Sequence, residues 1–287
     1  MDLGTLLLAG SVAASTGPGF HFVDVGQGSA LLLVGAEGHA VMVDSGPTGA
    51  AEAVIAALAE HDVVRVDLWI HTHFDADHVG GFARVLAGAD GAAGTGDDLE
   101  VAVLWDRGLD GAPDTEVVAA YTAAAGDRRQ RAAAGAVWEA PGLAIAAVDT
   151  GASAEVAAEN ARGLALCIHV GGRSALLPGD LPAAQAAVAA AACGPVDVLW
   201  AAHHGGADGT SDEVLAAADP ALVVISAGRG NPYCHPAAVT LARLHARAVW
   251  ISGLAGASPF GSCPGLATVF APDHRVLPGD LWLPAQP

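Results

Sequence analysis

The sequence predicts an α/β protein built as a four-layer αββα sandwich, in which two β-sheets pack face to face between outer layers of helices. Two successive segments each begin with strand patterns and continue with alternating strand and helix patterns. No Pro/Ser-rich linker separates them, which favours one domain over two. With 287 residues, 53% of them hydrophobic, the chain is long enough to bury a substantial core.

The first half opens with a predicted β-hairpin over residues 20–34, in which two apolar strands flank a Gly-Gln-Gly turn. Further strands are predicted in AVMVDSG (40–46), VVRVDLWI (63–70) and VAVLW (101–105). Helical patterns cover residues 50–60, 82–88 and 114–134, the last of them rich in Ala. Residues 88–100 have no apolar period and are predicted to form a loop.

In the second half the same pattern restarts. Predicted strands are LAIAAVD (143–149), LALCIHV (164–170), SALLPGD (174–180), VDVLWAAHHGG (196–206), ALVVISAG (221–228) and AVWISG (248–253). Residues 182–192 are a predicted Ala-rich helix, and helical segments separate the last strands. We expect the strands of residues 20–45 and 164–180 to belong to two facing sheets.

The charge balance limits the partners. The chain has 31 acidic and 12 basic residues, a formal charge of −19 that repels polyanions and anionic membranes at long range. A protein that grips a long nucleic-acid duplex usually has the opposite sign. The negative charge therefore argues against a nuclease. It does not exclude one, because bound divalent cations would make the electrostatic potential at the site positive.

Residues 1–18 are a candidate export signal or a disordered N-terminus, and residues 19–287 form the predicted folded domain. The apolar run LGTLLLAGSVAAS resembles a signal peptide, but Asp2 replaces the usual positive charge. Exported and cytoplasmic locations therefore stay equally open. No segment reaches transmembrane length, so no membrane insertion is expected.

The four cysteines are too few for a disulfide scaffold and form no CxxC pair. A Cys234–Cys263 disulfide would fix the loop before His235 if the protein is exported. The alternative is two free thiols.

The strongest chemical signal is His73-Phe-Asp75-Ala-Asp77-His78, followed by Val79-Gly80-Gly81 directly after an apolar strand. Carboxylates and imidazoles this close together need a cation or paired hydrogen bonds when they are buried. The alternative is a solvated loop that happens to be rich in His and Asp. The density of ligand types favours a metal site.

This segment resembles the HxHxDH motif of the metallo-β-lactamase superfamily, with Asp75 standing where most members have a second His. That substitution is typical of the nuclease domain of ComEC-type DNA-uptake competence proteins. Six further segments resemble the same branch in the same order: FVDVGQGSALLL, VMVDSG, ENARGLAL, ALLPGDL, VDVLWAAHHGG and SAGRGNPYCHP. The resemblance runs from about residue 20 to about residue 255.

The resemblance implies two metal positions. One would be held by His73, Asp75 and Asn160, the other by Asp77 and His78, with Asp180 bridging both. His235 is the favoured last ligand, and either His203 or His204 is the alternative; otherwise these two face the substrate. Asp77 would orient the nucleophile, and His204 or His203 would protonate the leaving group.

Other residues near the motifs have more ordinary explanations. Asp44 is expected to be a structural acceptor that orients the ligand loop, and His71 to lie outside the ligand register. Cys234 replaces the family's Gly before His235, and Gly163 replaces its usual Ser. Five remaining histidines are expected at element ends or on the surface: His21, His39, His61, His245 and His274.

The implied activity is a metal-dependent hydrolase, a phosphodiesterase or nuclease that uses a hydroxide held between two divalent cations, Mn²⁺ or Zn²⁺. Oxygen ligands at Asp75 and Asn160 shift the metal preference from zinc towards manganese or magnesium. The expected substrate is a short or single-stranded nucleic acid or a small phosphodiester. Two alternatives stay open: hydrolysis of a lactone, thioester or β-lactam, and a catalytically silent binding module on the same fold.

Overall fold

The computed structural model describes residues 17–151, 158–253, 273–276 and 279–286. Their strands form two sheets. The strands of sheet A are β1 Gly19–Phe22, β2 Leu31–Val34, β3 Ala40–Val43, β4 Arg65–Ile70, β5 Glu100–Asp106, β6 Arg129–Arg131 and β15 Leu281–Pro284. The strands of sheet B are β7 Val137–Ala140, β8 Leu143–Val148, β9 Ala165–Val170, β10 Arg173–Leu177, β11 Val198–Trp200, β12 Leu222–Ser226, β13 Ala248–Ser252 and β14 His274–Val276. Sheet A has the order β15-β1-β2-β3-β4-β5-β6, and sheet B has the order β14-β13-β12-β11-β10-β9-β8-β7.

Each sheet is antiparallel at one side and parallel at the other. In sheet A the pairs from β15 to β3 are antiparallel, and those from β3 to β6 are parallel. In sheet B the pairs from β7 to β10 are antiparallel, and those from β10 to β14 are parallel. The prediction that residues 20–45 and 164–180 contribute to two different sheets is confirmed.

The helices follow or connect the parallel strands. They are α1 Ala51–Glu60, α2 Ala76–Val79, α3 Phe82–Leu86, α4 Glu116–Ala125, α5 Ala183–Cys193, α6 Asp212–Ala218 and α7 Ala238–Arg243. None of these helices in the described part of the chain has the length and apolar character that crossing a lipid bilayer requires.

Three apolar clusters account for the four layers. Side chains such as Phe20 and Leu33 of sheet A meet Ile168 of sheet B in the cluster between the sheets. Alternate residues of the same strands, such as Leu32, point the other way and pack against α1, α3 and α4. A third cluster packs the outer face of sheet B against α5, α6 and α7. The predicted αββα sandwich is therefore confirmed.

The predicted helix over residues 114–134 is wrong in its second half. Helix α4 ends at Ala125, and Gly126 follows with φ 53°, in the left-handed region that favours glycine. The chain then forms β6, a three-residue edge strand of sequence Arg-Gln-Arg. The C-terminal end of this helix could not be predicted from the Ala-rich composition, because alanine favours a helix without determining where it ends.

A disulfide joins Cys167 on β9 to Cys193 at the end of α5, with Cα atoms 5.6 Å apart. No local sequence pattern indicates this pair, because its cysteines are 26 positions apart in two different elements. Cys234 is also disulfide-bonded. The predicted Cys234–Cys263 pair involves a residue outside the described ranges, so it stays a prediction.

Candidate metal centre

The residues of the HxDxDH motif lie at one edge of the two sheets, beyond the carboxyl ends of parallel strands. Strand β3 ends just before Asp44, and β4 ends just before the segment 71–78. In sheet B, β10 leads to Asp180 and β11 leads to the His203-His204 pair. The carboxyl ends of parallel strands are where α/β proteins commonly place their sites, because the connecting loops converge there.

At the centre, two imidazoles face one carboxylate. His78 Nε2 lies 3.4 Å from Asp180 Oδ1, and His73 Nε2 lies 3.9 Å from Asp180 Oδ2. All three residues are buried. Ligands of one dinuclear site must lie within about 10 Å of each other. The distance between His73 and Asp180 meets this requirement.

A second group shares His78. His204 Nε2 lies 3.2 Å from Asp77 Oδ2, 3.4 Å from Asp180 Oδ2 and 3.3 Å from His78 Nε2. Within each of two sets of described residues, His73–His78–Asp180 and Asp77–His78–His204, the donor atoms all lie within 4.8 Å of one another. Because one imidazole nitrogen binds a single cation, His78 can belong to only one metal position. Asp180 is the residue whose two carboxylate oxygens lie near His73, His78 and His204.

The histidines and carboxylates of this cluster shift one another's pKa values. Burial alone would lower the pKa of His78, but Asp180 and Asp44 raise it well above its ordinary value. Burial also acts to lower the pKa of His204, yet the charge of Asp180 and hydrogen bonds to Asp180 and Asp77 raise it to about 9. The same contacts hold the pKa values of Asp77 and Asp180 below normal, although burial opposes this. Positive charge on the neighbouring imidazoles therefore stabilises the ionised form of the buried Asp180 and the half-buried Asp77.

Asp44 holds the ligand loop in place. Its carboxylate accepts a 2.7 Å hydrogen bond from His78 Nδ1, a 2.8 Å bond from the Thr72 amide and another from the Thr72 hydroxyl. A carboxylate on Nδ1 directs Nε2 of the same ring towards the site, an arrangement common behind metal-binding histidines. The geometry agrees with the structural role predicted for Asp44.

A buried ion pair on the other side of the loop was not predicted. Arg107 and Glu159 form a two-pronged pair, with Arg107 Nε 2.7 Å from Glu159 Oε1. Glu159 Oε1 also accepts a 2.9 Å hydrogen bond from the Phe74 amide, and the Arg107 guanidinium lies 4.6 Å above the Phe74 ring. Since Glu159 directly precedes Asn160, this pair connects the Asn160 turn to the ligand loop.

Three more predicted residues form the open side of the site. Asn160 Nδ2 lies 3.5 Å from His203 Nε2, which is itself 3.9 Å from Asp180 Oδ2. The His235 ring centroid lies 5.0 Å from that of His203. Burial, together with the nearby histidines, lowers the pKa of His235 to about 4, so its ring is neutral at physiological pH. His203 Nδ1 lies 3.1 Å from Asp208 Oδ1, an orienting partner that the sequence did not indicate.

The backbone around the site is strained. Asp44, His203, His204 and Cys234 all have φ between 52° and 57°, in the left-handed region that residues other than Gly rarely adopt. Such conformations persist only where surrounding contacts enforce them, and they are concentrated at functional sites. Gly81 is required for a different reason. A Cβ at this position would collide with the carbonyl oxygen of Ser45, so only glycine allows the two backbone segments to approach.

His71 is separate from the cluster. Its ring is fully buried and packs edge-on against the rings of Phe82 and Tyr121. Neither ring nitrogen has a hydrogen-bond partner, and burial lowers the pKa of His71 to about 4. The structure thus places His71 in an aromatic pocket beside the site, outside the ligand groups, where the sequence register puts it.

The cluster fits bound metal ions. His73 Nε2 is buried without a hydrogen-bond partner, although Asp75 Oδ2 lies 3.5 Å away and Asp180 Oδ2 lies 3.9 Å away. A buried imidazole nitrogen without a hydrogen-bond partner is unfavourable. A cation bound by this nitrogen and the two carboxylates would supply the missing partner. The two donor groups contain the predicted residues His73, Asp77, His78, Asp180 and His204. The other predicted residues lie beside these groups: Asp75 next to His73, and Asn160 and His235 next to His203.

The family model described as "Metallo-beta-lactamase superfamily" matches residues 23–229, more than half of the chain. The protein therefore belongs to the metallo-β-lactamase superfamily, as the sequence motifs predicted.

Curated relatives include Recombination protein 2 of Haemophilus influenzae, 27% identical over 78% of this chain and 26% of that protein. Competence protein ComA of Neisseria gonorrhoeae is 26% identical over 83% of this chain and 31% of that protein. The chain thus spans about a quarter to a third of the length of these relatives.

Two solved structures are also similar. CmlA, a diiron β-hydroxylase from Streptomyces venezuelae, has a TM-score of 0.48 and 13% identity, covering 74% of this chain and 45% of that one. MEM-A1, a subclass B3 metallo-β-lactamase from a soil metagenome library, has a TM-score of 0.45 and 16% identity, covering 66% and 78%.

Proposed function

We propose that this protein is a metal-dependent phosphodiesterase that cleaves short or single-stranded nucleic acid or a small phosphodiester. The observation that carries the proposal is the buried, unpartnered His73 Nε2 facing the carboxylates of Asp75 and Asp180. The names of the curated relatives, a recombination protein and a competence protein, support a role with nucleic acid.

In this proposal, His73, Asp75 and Asn160 would hold one divalent cation. Asp77, His78 and His204 would hold the other, and the Asp180 carboxylate would serve both. We assign the last ligand to His204 rather than His235, because its Nε2 is within 3.4 Å of both Asp77 and Asp180. Asp75 and Asn160 make the first position rich in oxygen, which favours Mn²⁺ over Zn²⁺.

When bound, the two cations supply a water of lowered pKa and neutralise charge on the phosphate oxygens. The side chains do the rest. Asp77 orients the attacking water through its carboxylate, and His204 is fixed for its ligand role by a 3.0 Å hydrogen bond from Nδ1 to the Ser226 carbonyl. His203, held through Nδ1 by Asp208, presents Nε2 on the open side, where it protonates the leaving oxygen.

A second candidate is hydrolysis of a small carbonyl substrate such as a lactone, thioester or β-lactam. The formal charge of −19 favours it, because such a substrate needs no attraction of a polyanion. A silent binding module is a weaker alternative, since it would have no need for so many desolvated acids at one point.

The test uses metal-free protein reloaded with Mn²⁺ or Zn²⁺ and assayed on bis-p-nitrophenyl phosphate beside a chromogenic lactone and a β-lactam. We expect Mn²⁺-dependent cleavage of the diester and its loss in Asp180→Ala. His169→Ala, which removes an exposed imidazole on β9, is the matched control and should retain activity. Hydrolysis of only the carbonyl substrates would select the second candidate.

A further inference from the structure

Tyr233 is an exposed aromatic side chain at the rim of the metal centre. It is 67% exposed and is the one aromatic residue among the exposed large apolar side chains of the described ranges. Its ring centroid lies 5.7 Å from that of His235, with the planes only 31° apart. His235 in turn contacts His203, whose Nε2 is 3.9 Å from Asp180. A ring in this position can contact a substrate that occupies the centre.

The loop that carries Tyr233 is held from within. The buried Asn231 side chain donates to the carbonyl oxygens of Gly228 and His235, both at 2.7 Å, and accepts from the His235 amide at 3.0 Å. Cys234, the next residue after Tyr233, is disulfide-bonded. These contacts fix the backbone on both sides of Tyr233, so that presenting its ring to a ligand costs little further conformational entropy.

The charge of the protein determines which contact this ring can make. With a formal charge of −19, the chain cannot rely on long-range attraction of a phosphate backbone. Stacking of a base on an aromatic ring needs no such attraction, and it is how proteins commonly hold single strands. A paired base is already stacked within its duplex, so an exposed ring selects unpaired bases.

We propose that Tyr233 forms a stacking subsite for an unpaired nucleobase next to the phosphodiester held at the metal centre. This inference rests on the proposed function, and it makes the substrate class specific: single-stranded nucleic acid rather than a diester without bases. Tyr233 is a binding residue in this proposal and takes no part in proton transfer.

The test measures binding of labelled phosphorothioate octathymidylate to the Mn²⁺-loaded protein by fluorescence anisotropy. A strand of the same length and backbone with abasic sugars is the matched ligand. We expect Tyr233→Ala to weaken binding of the thymidylate strand at least about fivefold, or about 1 kcal/mol, and to leave the abasic strand within about twofold. Tyr233→Phe keeps the ring and should bind like the parent protein.

The outcomes separate the two proposals. Equal binding of the thymidylate strand by Tyr233→Ala and the parent protein would overturn the subsite, and so would equal weakening for both strands. Absence of any single-strand binding would overturn it too. If no phosphodiester is cleaved under any metal but the base-dependent effect of Tyr233 is found, the subsite stands and the proposed hydrolysis fails.

Discussion

The buried pair of Arg107 and Glu159 gives the most quantitative prediction. Their side chains are only 4% and 13% exposed, so Glu159→Ala leaves the Arg107 guanidinium desolvated without its carboxylate. It also removes the acceptor of the Phe74 amide. Removing one partner of a buried ion pair costs about 3–5 kcal/mol, a large part of a typical total stability of about 5–15 kcal/mol.

The assay is urea unfolding of the metal-free protein, followed by circular dichroism. Glu100→Ala is the matched control, because it breaks the Arg65–Glu100 pair, whose side chains are 51% and 62% exposed. An exposed pair of this kind contributes about 0–1 kcal/mol. A difference of less than about 1 kcal/mol between the unfolding free energies of Glu159→Ala and Glu100→Ala would contradict the expected cost of breaking the buried pair.

The remaining predictions concern the metal, pH, salt and cysteines. Asp77→Ala should lose one metal equivalent by elemental analysis, whereas His71→Phe should keep both, because the ring of His71 lies in an aromatic pocket; equal loss in both variants would show that the ligand register is wrong. The raised pKa of His204, about 9 against 6.5, stabilises the metal-free fold fully below about pH 6.5, and this contribution is lost as pH rises through about 9. Metal must displace that proton, so calorimetry should show proton release and Mn²⁺ affinity that rises from about pH 7 to 9; pH-independent affinity would contradict this. The KM for a single strand should change less than about tenfold between about 50 and 200 mM salt, and a change of several orders of magnitude would indicate a backbone-binding mode. Thiol titration of unreduced, denatured protein should find Cys167 and Cys193 unreactive, and four reactive thiols would contradict the disulfides.

Much of the fold could be predicted from sequence because several strands are apolar runs followed directly by Gly or Asp, such as LLLV of β2, AVMV of β3 and LAIAAV of β8. The failures occurred where the local pattern is weak or the partner is distant. Strand β15 pairs with β1 from the far end of the chain, and no local pattern indicates that pairing. His21 was expected at an element end or on the surface, but it is buried on β1 and bonded to Asp280, 259 positions away. His274 is also buried.

Part of the candidate site could be predicted from the sequence and part could not. His73, Asp75, Asp77 and His78 lie within six consecutive positions, so their metal-binding chemistry could be predicted without knowing the fold. The contact between Arg107 and Glu159 spans 52 positions and depends on how two loops meet, which sequence spacing does not determine. The choice between His204 and His235 likewise depended on distances, because both stand in motifs with a suitable imidazole.

The most direct test of the central claim is a titration of metal-free protein with Mn²⁺ while hydrolysis of bis-p-nitrophenyl phosphate is measured. We expect no turnover without metal, a rise in turnover that levels off at two equivalents per chain, and no rise in Asp180→Ala. Turnover that needs no metal, or full loading with two equivalents without any phosphodiester cleavage, would contradict this claim.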